Sequence, residues 1–322
     1  MENRRAFLKR ARNAGLTAAG FGLWGYWYYN PTQPVREIKE KIYSLKPFTI
    51  ETSNILPEMV IVHGKEPQKN VKAAVDKLGG IARFIKPGDR VLIKPNVGWD
   101  RMPEQAANSN PFVVAEVVRL CREAKAGEII VTDVSLNDVI RCFKRSGIAE
   151  EAQNAGAKII YPSSNDFLQV DLKGSLLKVW PVYEEFIKAD KLINVPVVKH
   201  HSLCKATLSM KNWYGAIGGK RNRLHQDIHT SVVDLARAFK PTLTVMDASR
   251  ILMQGGPTGG NLNDVKTTNM IIAGTDEVAI DAYSSTLLGY KHDEIEFIRM
   301  AKENNLGTYN LNEVRTDEIT LS

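Results

Sequence analysis

The stretch RVLIKPNVGWDRMPEQAANSNPFVVAEVVRLCREAKAGEIIVTD, residues 90–133, decides the fold. It opens with a short aliphatic run, Arg90–Lys94, that Pro95 stops. Apolar residues then recur at helical spacing through Pro111–Ala124, and a second aliphatic run, Glu128–Asp133, closes the unit. Strand, helix and strand in this order build a parallel sheet, because the crossover returns the chain to the edge it started from. The alternation continues with Asn137–Ser146 as a helix and Ala157–Tyr161 as a strand. Leu168–Val182 then alternates like a β-hairpin turning at Gly174-Ser175, and Lys191–Val195 reads as a buried strand. Thr242–Asp247 and Asn269–Gly274 are further apolar runs, and Asp276–Leu288 and Asp293–Asn304 read as closing helices. The expected fold is α/β, a mainly parallel sheet with flanking helices and an inserted β-hairpin element, in a single domain over residues 55–322.

A chain of 322 residues with 43% hydrophobic and 25% charged residues excludes disordered, collagen-like and disulfide-scaffold classes. Cys121, Cys142 and Cys204 are widely spaced and form no Cys-x-x-Cys, so they assemble neither an iron–sulfur cluster nor a thiolate zinc ribbon. They read as buried thiols, with one disulfide left open.

The formal charge of +7 is unevenly distributed. Residues 1–12 carry five bases and one acid, so they account for more than half of it. This basic stretch precedes a run from Ala14 to Tyr29 without a charge, which reads as an export signal over residues 1–30. Arg4, Arg5, Phe7, Leu8 and Lys9 resemble the twin-arginine translocation motif, which implies a periplasmic or otherwise extracytoplasmic location and the export machinery as a partner. No small-x-small cleavage site stands out, and the aromatic end of the run suits a membrane interface, so residues 14–29 are a candidate anchor. Residues 31–54 read as a linker.

Ligands of open α/β sheets bind beyond the carboxyl ends of strands. Lys94 and Asn96 stand at one such end, and Asp133 and Asp247 at two others. Between Asp190 and Asp227 lie Lys191, Lys199, Lys205, Lys211, Lys220, Arg221 and Arg223 with no acid among them. Such a local field suits a phosphate or carboxylate group. The interleaved Trp213 and Tyr214 do not outweigh export, so no nucleic-acid partner is expected. The same segment holds His200, His201, His225 and His229. Gln226 follows His225 where a zinc protease would place glutamate, so the histidines read first as proton-transfer or anion-contact groups. Gly215, Gly218 and Gly219 lack Walker spacing, but a glycine-rich turn still offers backbone amides to an anion. Gly255–Gly260 reads as a cover over the site or a close backbone approach to a ligand.

Lys94-Pro95-Asn96, Asn194-x-Pro196 followed by Lys199-His200-His201, Thr207, Lys211-Asn212, Arg221, His225, Gly256-Pro257-Thr258-Gly259 and the segment from Ala273 to Ala282 together resemble the family known as domain of unknown function 362. The resemblance runs from about residue 60 to 290 and implies an α/β fold with a site, but no established reaction. Many relatives carry a ferredoxin-like cluster module, and this chain lacks those cysteines, so that property does not transfer.

The expectation is an exported enzyme that binds an anionic small molecule or cofactor of unknown identity. Lys199, His201 and His225 are the candidate catalytic residues. Lys94, Asn96, Lys211, Asn212, Arg221, Asp247, Gly256 and Gly259 are the candidate ligand-binding residues, and no metal ligand is assigned. Two alternatives stand beside it, a metal-dependent or redox-associated enzyme using the histidine cluster, and a non-catalytic periplasmic binding or assembly factor. Deleting residues 1–12 is expected to retain the protein in the cytosol of its host on fractionation; an unchanged location of both forms would overturn the export reading.

Overall fold

The computed structural model describes residues 41–51 and 53–322. The export signal, the candidate anchor 14–29 and residues 31–40 of the expected linker lie outside the described residues.

In chain order the strands are β1 (Tyr43–Ser44), β2 (Met59–His63), β3 (Arg90–Pro95), β4 (Glu128–Val131), β5 (Lys158–Ile159), β6 (Phe167–Asp171), β7 (Val179–Tyr183) and β8 (Lys191–Val195). They continue with β9 (Val197–His201), β10 (Lys205–Thr207), β11 (Leu243–Leu252), β12 (Val265–Gly274) and β13 (Thr316–Thr320). The large sheet runs β13-β2-β12-β11-β8-β3-β4-β5, and β9 extends it along β11 with β10 at its side. Strands β3, β4, β5 and β8 are mutually parallel, as the alternation of runs and helices requires. The sheet as a whole is mixed, which corrects the expectation of a mainly parallel one. The glycine-rich segment after Leu252 joins β11 to β12 as a hairpin rather than a helical crossover, so β12 runs antiparallel to both β11 and β2.

Alternation along the central strands splits the core. Val91 and Ile93 of β3 belong to one apolar cluster and Leu92 to the other, because successive strand side chains leave opposite faces of the sheet. The helix Pro111–Glu123 packs on the first face. Its start is set by Asn110, whose side chain accepts from the Phe112 amide at 3.1 Å, and by Pro111 in the first turn. The helices Ile228–Phe239 and Glu277–Leu287 cover the second face. All three cysteines are buried free thiols.

The expected hairpin is present as β6 and β7, paired antiparallel, and β1 adds to it in parallel through Tyr43 and Val170. The described part of the expected linker is therefore tied to the domain. Phe48 is 1% exposed, and its carbonyl accepts from the Thr242 hydroxyl at 2.8 Å. The compact unit runs from Ile42 to Ser322.

The hairpin turn is held by one carboxylate. Asp234, on the helix Ile228–Phe239, accepts from the backbone amides of Ser175, Leu176 and Leu177 at 3.0, 2.8 and 3.0 Å. Charge-assisted bonds of this kind are stronger than neutral ones, and their loss leaves amides unpaired. Asp234→Ala should cost about 3 kcal/mol, read from the urea midpoint; an unchanged midpoint would show that the turn stands without it.

Candidate functional site

Parallel strands β3, β4 and β8 end at one edge of the sheet, and their carboxyl ends open onto a cavity of about 370 Å³. Lys94, Asn96, Lys199, His201, Lys211, Asn212, Arg221 and His225 all line it. Asp133, Thr207 and Tyr214 line it too, and Trp99, Leu136, Leu203, Pro257 and Thr258 complete part of its wall.

The floor is a buried ion pair. Lys94 Nζ lies 2.7 Å from Asp133 Oδ1, at 0% and 3% side-chain exposure. It also donates to the Pro95 carbonyl at 2.9 Å and to Asn212 Oδ1 at 3.1 Å. An ammonium has three protons, so Lys94 has none left for a ligand. Burial pushes its pKa down while the opposing Asp133 charge holds it up. The second oxygen of Asp133 accepts from the Val97 amide at 2.6 Å, which ties the turn after β3 to the end of β4. Gly215 passes so close that a Cβ there would sit 1.9 Å from Asp133 Oδ1. The glycine expected to cradle an anion instead makes room for this pair.

From the pair a chain of amides crosses the site. Lys199 Nζ donates to Asn96 Oδ1 at 2.9 Å and to the Ala107 carbonyl at 2.6 Å. Asn96 Nδ2 donates to Asn212 Oδ1 at 2.9 Å, and Asn212 Nδ2 to Asn194 Oδ1 at 2.8 Å. Asn194 Nδ2 ends the chain on Glu277 Oε1 at 2.7 Å, and Trp213 Nε1 donates to the other oxygen at 3.0 Å. Burial raises the Glu277 carboxyl to about 8. Asp281, one turn along the same helix, accepts from the Ser209 and Met210 amides and so caps the short helix Ser209–Asn212 that carries Lys211 and Asn212. Asn194 and Glu277 fall within the segments that carry the family resemblance, but neither is among the expected site residues, because nothing local marks a buried amide or carboxyl as a partner of the site.

The remaining cations differ in how much they hold in reserve. Lys199 keeps one proton free, and burial first, with Lys211 and Lys94 beside it, lowers its pKa to about 7 against the pull of Asp133. Lys211 Nζ stands 3.7 Å from the centre of the Tyr214 ring and makes no hydrogen bond among the described residues. Burial lowers it to about 8. Arg221 is largely engaged, since it donates to the carbonyls of Val134, Tyr214 and Ser135 at 2.8, 3.0 and 3.0 Å. Lys191, Lys205, Lys220 and Arg223 are not in the cavity lining, so three of the seven bases of the acid-free segment meet there. Thr207 Oγ1 is buried without a partner among the described residues.

The histidines divide likewise. His201 and His225 stack with ring centres 6.4 Å apart. His201 Nδ1 accepts from the Leu203 amide at 3.2 Å, which puts the proton of the neutral ring on Nε2. His225 Nδ1 faces the Asn222 carbonyl at 3.1 Å; a carbonyl only accepts, so Nδ1 carries the proton and Nε2 the lone pair. Burial drives His201 down to about 3 and lowers His225. His200 Nδ1 accepts from the Gly256 amide at 3.2 Å, and His229 lies against Phe297 and 3.5 Å from Glu296. The four do not converge.

Gly256 and Gly259 are not in the lining; Pro257 and Thr258 between them are. A Cβ on Gly256 would lie 1.8 Å from the His200 carbonyl oxygen, so this glycine lets the loop close against β9. Asp247 is not in the cavity lining. It accepts from the Asn110 amide at 2.8 Å and from the Ser249 hydroxyl at 2.6 Å.

The family described as Domain of unknown function (DUF362) matches residues 91–286, more than half of the chain. The chain belongs to this family. The cavity residues, from Lys94 to Thr258, all fall within the matched DUF362 stretch. Over 246 residues the chain is 25% identical to a thylakoid-associated protein of Synechocystis sp., with 74% of each covered. Among solved structures it resembles the lactate racemase apoprotein of Thermoanaerobacterium thermosaccharolyticum, at 12% identity and a TM-score of 0.38, over 74% of this chain and 59% of that one. A Thermotoga maritima protein resembles it at 11% identity and a TM-score of 0.38, over 75% of this chain and 60% of that one. The chain thus spans less than two thirds of either solved chain.

Removing one member of a buried ion pair strands the other charge, at a cost of about 3–5 kcal/mol. Lys94→Met is therefore expected to lower the free energy of unfolding by that much, and adding Asp133→Leu should recover part of it. A single variant as stable as the parent in guanidinium titrations would show that the pair does not organise the site.

Proposed function

We propose that this DUF362 protein is an enzyme that binds a small anionic molecule, phosphate- or carboxylate-bearing, and moves a proton on it. The observation that carries the reading is Lys211, a buried cation in a cavity whose one lining acid among the described residues, Asp133, is already paired with Lys94. A cation in that position has lost its hydration without gaining a counter-charge, and an anion supplies one. The free proton of Lys199 and the unpartnered Thr207 hydroxyl add donors at the same wall. Arg221 contributes charge while holding the Val134 and Tyr214 backbone in place.

His225 takes the proton in this reading, because its Nε2 lone pair is open, whereas His201 offers an N–H and burial keeps it neutral. Lys199, poised near neutrality, is a second group able to exchange a proton. The metal-centred alternative has less support, since among the described residues no three histidine, cysteine or acidic side chains come together. A pure binding factor would capture the same anion but leave its protons unexchanged in heavy water.

We also infer an extracytoplasmic place of action. Its supports are the Arg4-Arg5-x-Phe7-Leu8-Lys9 pattern and the thylakoid association in the relative's name. Among the described residues no helix is long and apolar enough to cross a membrane.

Inorganic phosphate and acetate are the first probes, read by calorimetry. Lys211→Ala should weaken whichever binds by at least about tenfold, the loss of one charge-assisted contact. The lysines are protonated below about 7 and 8 and lose charge above. Affinity should therefore fall as pH rises from 6 to 9. A flat or rising profile, or full binding by Lys211→Ala, would overturn the lysine clamp.

A further inference from the structure

The cavity has a second character at its mouth. Leu136 and Leu203 are 59% and 61% exposed, and both line the same hollow as Lys199 and Lys211. A single exposed leucine is ordinary on a protein surface. Here two from different loops, with Trp99 from a third, face one cavity.

The backbone holds all three loops in place. The Leu136 amide donates to the Gly98 carbonyl at 3.0 Å, which ties its loop to the turn carrying Trp99. The Leu203 amide is fixed by His201 Nδ1 at 3.2 Å. The apolar side chains are thus held beside the cationic end by the same contacts that shape it. A volume of about 370 Å³ also lies within the ~300–1,000 Å³ typical of sites for organic small molecules, which an inorganic ion would leave largely empty.

We propose that the ligand is an amphiphilic anion, with its charged group against Lys211, Lys199 and Thr207 and an aliphatic or aromatic body against Leu136, Leu203 and Trp99. The inference rests on the anion-binding reading above and names its ligand class. It also accounts for the open mouth, since the body of the ligand completes the cover that the leucines lack.

The test is a calorimetric titration of the full chain with two homologous series, acetate to octanoate and methyl to octyl phosphate. Affinity is expected to rise about fourfold per methylene in the series with the correct head group, which corresponds to ~0.8 kcal/mol per buried methylene. A rising series supports the inference, and its head group identifies the class. The double variant Leu136→Ser/Leu203→Ser should flatten the rise; both positions are exposed, so folding is not at stake. Short anions that bind with no dependence on chain length, or a slope untouched by the double variant, would overturn the amphiphile and leave the anion site standing. Failure of every member to bind, short ones included, would overturn both.

Discussion

The architecture of the site hangs on a lysine ammonium placed where water does not reach. Lys94 is 0% exposed at the end of β3, in the middle of the sheet. An ion in that position costs several kcal/mol unless an opposite charge and further hydrogen bonds meet it. Asp133 supplies the charge from the end of β4, and Pro95 and Asn212 supply the other acceptors. The neighbouring segments are arranged to deliver these groups. The short helix Ser209–Asn212 is brought in to present Asn212, and the chain at Gly215 runs bare past the pair.

From this pair outward, each amide has its orientation fixed by the next. A lysine only donates, so Asn212 turns its oxygen toward Lys94 and its nitrogen toward Asn194. Asn194 in turn gives its nitrogen to Glu277. Asn96, held by the same Asn212 oxygen, is left with its own oxygen facing Lys199. Glu277 and Asp281, carried on one helix, thus govern what Lys199 and Lys211 present to the cavity without lining it. Networks of this kind are stable only when every member is satisfied, which makes the unpartnered Thr207 hydroxyl in the cavity wall the more informative.

The electrostatics of the cavity follow from the same accounting of donors. Positive charge collects on Lys199, Lys211 and Arg221, while the one acid in the lining among the described residues is already taken. Burial lowers each of these cations and keeps His201 neutral. Cations gathered in this way, with no free acid among the described lining residues, repel one another, and it is this repulsion that the proposed anion would relieve. The stacked histidines differ for a local reason, the backbone group that each Nδ1 meets, and so two identical residue types acquire opposite hydrogen-bonding roles.

The sequence by itself determined the alternating central strands, the hairpin β6–β7, the closing helices and the eight polar residues that meet in the cavity. These are legible because period-two alternation, helical spacing and strand-end placement are local properties of the chain. It did not reveal that β12 reverses direction, that Asp247 accepts from Asn110 and Ser249 outside the cavity lining, or that four of the seven clustered bases lie outside the cavity. Nor did it distinguish Lys94, saturated by three acceptors, from Lys211, which has none among the described residues. Only the tertiary structure decided these points, because a side chain's role depends on which partners reach its donors first, and those partners come from segments far apart in the chain.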